Sequence, residues 1–260
     1  MKRRKLLSST PFAVRADAPY TAFVEFRRRL LRTLGAVQPV LDEPGVLVVG
    51  SEVPNLIEPN AAATLVVSQD VDLGVPVHCH AAVKERLRDV QRLHPSVDEP
   101  SVWIPDTSEL IEVNFIGMDS ALQDATEVYI IEDNELPMVV FGALSLVRPG
   151  PPVTVEGLTI PVPRLAGLLV EKLLTDRSAE KGARDLLVAL ALLTLAREDD
   201  LAEVDETYAH LAPEHRHAVL SNLTLLSLME RRPGMPDPGP HRARIAALLR
   251  RLERTKENSV

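Results

Sequence analysis

The stretch that decides the fold reads VLVVGS at residues 46–51 and continues as SQDVDLGV at residues 68–75. The first run is short, apolar and rich in valine until it stops at Gly50, which is typical of a buried strand. In the second run Asp70 and Asp72 alternate with apolar residues, and alternate side chains of a strand point to the same face. The sequence therefore predicts two strands, of which the second presents two carboxylates together on one face.

The two aspartates have the chemistry of ligands for a divalent cation. Mg²⁺ prefers hard oxygen ligands and is typically held by one or two carboxylates together with phosphate oxygens of a substrate. A two-metal site needs a further carboxylate, and Glu112 in the apolar run at residues 110–113 is the best candidate on a neighbouring strand. Asp70, Asp72 and Glu112 are therefore the expected ligands of Mg²⁺ or Mn²⁺.

Gly50 and Ser51 follow the first strand, where a phosphate could approach the backbone. Glycine lets the chain come close to a ligand, because it has no side chain. A serine can cap the helix that follows while its hydroxyl and backbone face a phosphate. We therefore expect Ser51 to cap a short helix and both residues to contact the phosphates of a ligand.

Composition places the chain among soluble globular proteins. It has 260 residues, 45% of them hydrophobic and 25% charged, which suffices for a sizeable core in one or two domains. The formal net charge of -8 argues against a uniformly basic nucleic-acid surface, so contact with RNA would require local basic patches. The single cysteine, Cys79, excludes an internal disulfide, and no stretch approaches the roughly 20 apolar residues of a membrane span. We expect a cytoplasmic protein without a membrane partner.

Strand and helix signals alternate in the first part of the chain, and leucine and alanine dominate from Pro163 onward. This order predicts an α+β fold, with a small mixed sheet covered by helices as a domain over residues 1–160 and a helical domain over residues 161–260. The expected strands cover residues 45–49, 63–67 with 71–77, 103–104, 110–116, 129–131 and 138–146, and an edge hairpin covers 153–162. The expected helices cover residues 20–34, 81–93, 165–174, 182–196, 203–211, 213–230 and 240–254.

The three short motifs together resemble the signature of the nucleotidyltransferase superfamily, whose members are similar to DNA polymerase β. That signature is a strand ending in Gly-Ser or Gly-Gly, then about a dozen to twenty residues, then a D-x-D strand and a strand with one further acid. The corresponding stretches here are VLVVGS, SQDVDLGV and LIEVNF. A second block, PVPRLAGLLVEKLLTDR at residues 161–177 followed by ARDLLVAL at residues 183–190, resembles the helical part of AbiEii-like toxin nucleotidyltransferases. The resemblance spans residues 45–191, most of the chain.

The resemblance implies particular roles for several residues. Lys172 would contact the nucleoside triphosphate, and Asp185 would orient Lys172 or the acceptor. Gly50, Ser51 and Ser68 would join Lys172 in binding the nucleotide. The implied catalytic residues are Asp70, Asp72, Glu112, Lys172 and Asp185.

The implied reaction transfers a nucleoside monophosphate from a nucleoside triphosphate to an acceptor hydroxyl on tRNA, on protein or on a small molecule. The AbiEii-like block favours the toxin of a toxin–antitoxin pair, with a cognate antitoxin as partner. An antibiotic nucleotidyltransferase is the alternative for a small-molecule acceptor, and Glu203, Asp205 or Glu206 would then contribute to an acidic pocket for a cationic drug.

One position departs from the family pattern. Many relatives carry an arginine two positions before the Ser or Thr of the D-x-D strand, whereas this chain has Val66 ahead of Ser68. Phosphate or base contacts made by that arginine must come from elsewhere or be absent. This leaves open a catalytically degenerate module that binds nucleotide and has a regulatory role.

Simpler structural interpretations exist for residues of the C-terminal helices. Lys172 and Asp185 lie on amphipathic helices, where they could be solvated or form surface ion pairs of little energetic value. His215 and His217 lie on a later helix and are expected to be exposed.

Overall fold

A mixed sheet of seven strands lies at the centre of the computed structural model, which describes residues 19–58, 70–174, 180–231 and 236–257. The order along the sheet is β1-β2-β5-β4-β3, and β7 pairs with both β5 and β6. The strands are β1 Leu47–Val48, β2 Asp70–Pro76, β3 Leu93–Pro95, β4 Val102–Pro105, β5 Glu112–Met118, β6 Val128–Ile131 and β7 Met138–Phe141. β5 is central, because β2 flanks it on one side and β4 and β7 share the other.

The D-x-D strand is placed as the alternation of its residues predicts. β2 pairs antiparallel with β1 and parallel with β5. Val71 and Leu73 are buried, while Asp70 and Asp72 are partly exposed on the opposite face. The strand predicted over residues 71–77 is thereby confirmed, and the one predicted over 63–67 lies outside the described residues.

Helices cover the sheet and make up most of the second half of the chain. They are α1 Pro19–Ala36, α2 Gln38–Leu41, α3 Val53–Ile57, α4 His80–Leu87, α5 Leu165–Leu174, α6 Glu180–Leu195, α7 Glu198–Ala209, α8 Pro213–Leu228 and α9 Arg242–Glu257. Short 3₁₀ segments also occur in the described ranges, at Val77–Cys79, Gly142–Leu146 and Gly239–His241. The helices predicted over residues 20–34, 165–174, 182–196 and 213–230 are confirmed within a few residues at each end.

The helix predicted over residues 81–93 is too long. α4 ends at Leu87, and Leu93 lies in β3 opposite Pro105. Arg92 has a φ of 68°, in the left-handed region that a continuing helix excludes. The apolar spacing extends past the end of α4 because Leu93 is buried by the sheet rather than by the helix.

Two further predicted elements have different limits in the structure. The β-prone run at residues 138–146 is a strand only as far as Phe141, and a 3₁₀ segment follows. The predicted helix over residues 203–211 begins earlier, at Glu198. At its start the Asp200 carboxylate accepts a hydrogen bond from the backbone N–H of Arg197 at 2.7 Å. Acidic residues fill this first turn, which favours negative charge.

The hairpin predicted around Gly157 exists, but it is a separate two-stranded sheet rather than an edge of the main one. Its strands are β8 Val153–Val155 and β9 Leu158–Ile160. Glu156 and Gly157 both have positive φ, 50° and 85°, as a tight hairpin turn requires.

One hydrophobic cluster contains buried side chains from both the sheet and the C-terminal helices. It includes Val71 and Phe115 from the sheet and Leu168 and Leu190 from the helices. The fold is thus α+β with a mixed sheet, as predicted. A domain boundary at residues 160–161 stays a prediction. Within the described ranges, no helix has both the length and the apolar character to cross a bilayer.

Candidate active site

Four polar side chains lie together on one face of the β2–β5 pair. Asp70 lies opposite Glu112 and Asp72 lies opposite Asn114 in the parallel register. All four are partly exposed, whereas Val113 between the two β5 residues is buried. Neighbouring strands are about 4.8 Å apart, so these side chains are within reach of one another. The structure therefore brings together the three acids that the sequence predicts.

Asn114 links the two aspartates directly. Its side-chain amide donates to Asp70 Oδ2 at 3.1 Å and to Asp72 Oδ1 at 3.0 Å. The two hydrogen bonds hold both carboxylates in fixed positions. Asn114 is not among the residues that the motifs predict for the site, although its position two residues after Glu112 places it on the same strand face.

The surroundings of Glu112 disfavour the ionised form of its carboxyl group. Partial burial raises the pKa of the Glu112 carboxyl, and the negative charges of Asp70, Glu99 and Asp72 raise it further. A raised pKa makes a carboxylate a better proton acceptor near neutral pH. It also means that a bound cation would stabilise the ionised form.

Glu52 is a fourth acid next to this cluster, and sequence reasoning missed it. Its side chain is 0% exposed, and neither carboxylate oxygen has a hydrogen-bond partner on another residue in the part of the chain that is described. Burial raises the pKa of Glu52 well above its ordinary value, and the charges of Asp72 and Asp70 act in the same direction. The only sequence signal was its position directly after Gly50-Ser51, in a segment that reads as an ordinary surface turn.

Gly50 and Ser51 lie in the turn between β1 and α3. A Cβ on Gly50 would lie 2.1 Å from Glu52 Oε2, so the absence of a side chain makes room for the Glu52 carboxyl. The N-cap of α3 is Glu52 and no side chain caps that helix, so the prediction that Ser51 caps it is wrong. Ser51 is buried beside the strand end. Ser68, the other predicted nucleotide contact, lies outside the described residues.

Lys172 and Asp185 are buried, at 6% and 7% exposure, so the interpretation that they are solvated surface residues is wrong. Lys172 lies on α5 and Asp185 on α6. The Lys172 ammonium is 2.9 Å from Glu171 Oε2, and Glu171 is buried as well.

The electrostatic environment keeps Lys172 charged. Burial is the largest influence on it and by itself would lower its pKa. The carboxylates of Glu171, Asp185 and Asp72 more than offset that effect, so the pKa of Lys172 is raised. The coupling to Asp72 connects the cation on α5 to the acids on β2.

A cavity of about 290 Å³ opens beside this group. Its polar lining consists of Asp72, Glu171, Lys172 and His215, together with Thr126. Its apolar lining includes Val49, Ile116, Phe141, Leu144 and Leu174. A cavity with mostly apolar walls and a few charged and polar residues has the character of a small-molecule site.

His215 is part of this cavity, which corrects the expectation that it is exposed. It is 8% exposed on the first turn of α8, whereas His217 on the same helix is exposed as predicted. His215 Nε2 lies 3.7 Å from Asp124 Oδ1. The helical period explains the difference, because residues two apart on a helix point in different directions.

The acids proposed for a drug pocket lie elsewhere. Asp205 accepts a hydrogen bond from Arg251 Nε at 2.5 Å, and Glu203 is 3.5 Å from Arg164. Glu206 is exposed on α7. None of these three acids lines the cavity next to Asp72.

Over the described ranges, no three His, Cys, Asp or Glu side chains are placed so that they could jointly hold an ion. No protein-family model and no curated protein matches this chain.

Proposed function

We propose that this chain is a metal-dependent nucleotidyltransferase that transfers a nucleoside monophosphate from a nucleoside triphosphate to an acceptor hydroxyl. One observation supports it above the others. Asp70 and Asp72 share a strand face with Glu112 opposite, and the buried, charged Lys172 is coupled to Asp72 at the edge of a cavity. Nucleotidyl transfer requires carboxylates that hold a metal ion and, next to them, a positive charge that contacts the phosphates.

The donor set fits Mg²⁺ or Mn²⁺. Asp70 and Asp72 offer hard carboxylate oxygens, and Mg²⁺ commonly takes only one or two protein carboxylates together with substrate phosphates and water. Burial and the negative charges of Asp70, Glu99 and Asp72 raise the pKa of Glu112, and a cation would relieve the repulsion between these charges. When bound, the ion would supply charge neutralisation at the triphosphate and a lower pKa for the acceptor hydroxyl.

Glu112 is the proposed proton acceptor. The acceptor oxygen forms a bond to the α-phosphorus, and the bond from that phosphorus to the bridging oxygen breaks, so pyrophosphate leaves. The hydroxyl proton passes to the Glu112 carboxylate, whose raised pKa suits the transfer.

Lys172 is the proposed contact for the triphosphate. Its ammonium is kept protonated by the surrounding carboxylates, and it lines the cavity beside Asp72. A fixed positive charge there offsets the charge that develops on the pyrophosphate leaving group. Asp185 helps to hold that charge in place, and the backbone at Gly50 and Ser51 provides further phosphate contacts.

A label-transfer assay tests the proposal and separates the acceptor classes. Purified protein is incubated with Mg²⁺ and each α-labelled nucleoside triphosphate, with bulk tRNA, a protein extract or a panel of aminoglycosides as acceptor. The wild type is compared with the double variant Asp70→Asn, Asp72→Asn and with Asp89→Asn, where Asp89 is an exposed acid in the turn after α4. We expect label on one acceptor class with the wild type and with Asp89→Asn, and none with the double variant. Equal labelling by all three proteins would disprove the proposed role of Asp70 and Asp72.

A further inference from the structure

The cavity next to the acidic strand face is lined by Asp72 and by apolar residues. Glu112, Asn114 and Ile116 alternate along β5 and share one strand face. The first two adjoin the aspartates, and Ile116 lines the cavity. Two residues along a strand span about 6.7 Å, so the apolar wall begins one such step beyond the acids. A ligand anchored at Asp72 would therefore extend its other end towards Ile116.

The walls at that end come from several elements and are mostly apolar. Phe141 at the end of β7 and Leu144 in the following 3₁₀ segment lie on one part of the lining. Leu174 at the end of α5 and Val49 also line the cavity. Walls of this kind suit a flat, largely apolar ring rather than a second charged group.

His215 is a buried polar residue in the lining of this cavity. Its Nε2 is shielded from water and has no hydrogen-bond partner in the portion of the chain that the structure describes. The nearest carboxylate, that of Asp124, is 3.7 Å away, beyond hydrogen-bond distance. A buried polar atom without a partner is unfavourable, so a ligand that supplies one gains affinity.

We propose that this cavity receives the base of the nucleoside triphosphate and that His215 reads the edge of that base. The proposal rests on the proposed function, because it places the triphosphate at Asp72 and Lys172. An imidazole can donate or accept a hydrogen bond, and ring nitrogens and carbonyls of bases offer both partners. His215 is thus a specificity-determining residue, while the acids and Lys172 serve the phosphates common to all four nucleotides.

The test separates base contacts from phosphate contacts by calorimetry. The probes are the Mg²⁺ complexes of inorganic tripolyphosphate and of the α,β-methylene analogues of the four nucleoside triphosphates, which cannot turn over. The proteins are the wild type, His215→Leu, which fills the same space without a hydrogen bond, and the matched control His217→Leu on the exposed face of α8. His215→Gln is a second variant that keeps a polar group in case the leucine variant does not fold.

We expect the wild type and the His217→Leu control to bind one analogue about tenfold more tightly than the others, the effect of one hydrogen bond. In His215→Leu the affinities for the four analogues should lie within about twofold of one another. Its affinity for tripolyphosphate should differ from that of the wild type by no more than about twofold. An equal loss for all five probes, or a wild type that does not distinguish bases, would overturn the assignment of His215.

The same experiment distinguishes this proposal from the proposed function. Base-dependent binding that responds to His215, without any label transfer in the assay above, would support the base site and overturn the transferase activity. Label transfer with a nucleotide preference that the His215 variants do not change would support the transferase activity and overturn the base site. Failure of all five probes to bind would overturn both.

Discussion

Glu112 lies directly opposite Asp70 in the parallel pairing of β5 with β2. Two acids in register on adjacent strands repel each other, and the pKa of Glu112 is raised by burial and by Asp70. The fold therefore holds negative charges close together, at a cost that a bound cation would offset.

Asn114→Asp should make the protein depend on divalent cations for stability. The substitution removes both hydrogen bonds to the aspartates and adds a third negative charge between them. Without metal we expect a loss of about 1 to 3 kcal/mol in the free energy of unfolding, and with excess Mg²⁺ a larger rise in Tm than the wild type shows. Thermal unfolding in Mg²⁺ and in EDTA measures both. A variant with the same Tm in both solutions would argue against a cation at these acids.

Gly50→Ala should destabilise the protein through Glu52. The added Cβ would lie 2.1 Å from Glu52 Oε2, and forcing a buried carboxyl aside costs about 1 to 3 kcal/mol. Urea denaturation measures the change, with Gly35→Ala as the control, because a Cβ there meets only ordinary contacts at 3.7 Å. The double variant Gly50→Ala, Glu52→Ala should lose less free energy of unfolding than the two single variants lose in sum, because the added Cβ then meets no carboxyl group. Strict additivity would show that the collision does not occur.

The buried Glu52 should make stability depend on pH. Its pKa is raised in the folded state, so its contribution is fully present below the pKa of the unfolded chain and is lost as pH rises towards the folded pKa. The wild type should therefore lose stability relative to Glu52→Gln as pH is raised from about 4.5 upward. Urea denaturation between pH 5 and pH 8 follows the difference, with Glu58→Gln, an exposed neighbour, as control. A difference independent of pH would mean that Glu52 is ionised throughout.

Lys172→Met should destabilise the folded protein strongly. The substitution leaves the buried carboxylates of Glu171 and Asp185 without the cation beside them, and breaking a buried pair costs about 3 to 5 kcal/mol. Lys84→Met is the matched control, because Lys84 pairs with Asp133 at 2.8 Å near the surface, where the loss should be small. Comparable urea midpoints for the two variants would indicate that Lys172 is solvated in solution.

The strand face of the two aspartates was predictable because it follows from local alternation. Asp70 and Asp72 alternate with buried valine and leucine, and that pattern alone fixes which side each residue takes. The acid on the next strand was predictable for the same reason, since Glu112 interrupts an apolar run. The opposition of Asp70 and Glu112, however, is a matter of register, which sequence spacing does not define for strands so far apart.

Glu52 and His215 were not predictable, because their burial is decided by tertiary packing. A glutamate next to Gly-Ser and a histidine on a polar helix turn both resemble surface residues in sequence. Glu52 is buried because its carboxyl fits the space that Gly50 leaves empty, and His215 because α8 turns that residue towards the cavity. The end of α4 was missed for a similar reason, since Leu93 has helical spacing but is buried in β3.

The most direct test of the proposed nucleotidyl transfer follows where the α-phosphate and the γ-phosphate of the substrate go. Nucleoside triphosphate labelled at the α-phosphate and, separately, at the γ-phosphate is incubated with the protein, Mg²⁺ and the acceptor class identified by the label-transfer assay. Nucleotidyl transfer predicts α-label on the acceptor, γ-label in pyrophosphate, and neither product with Asp70→Asn, Asp72→Asn. Transfer of the γ-label to the acceptor, or α-label transfer that persists in the double variant, would contradict the account.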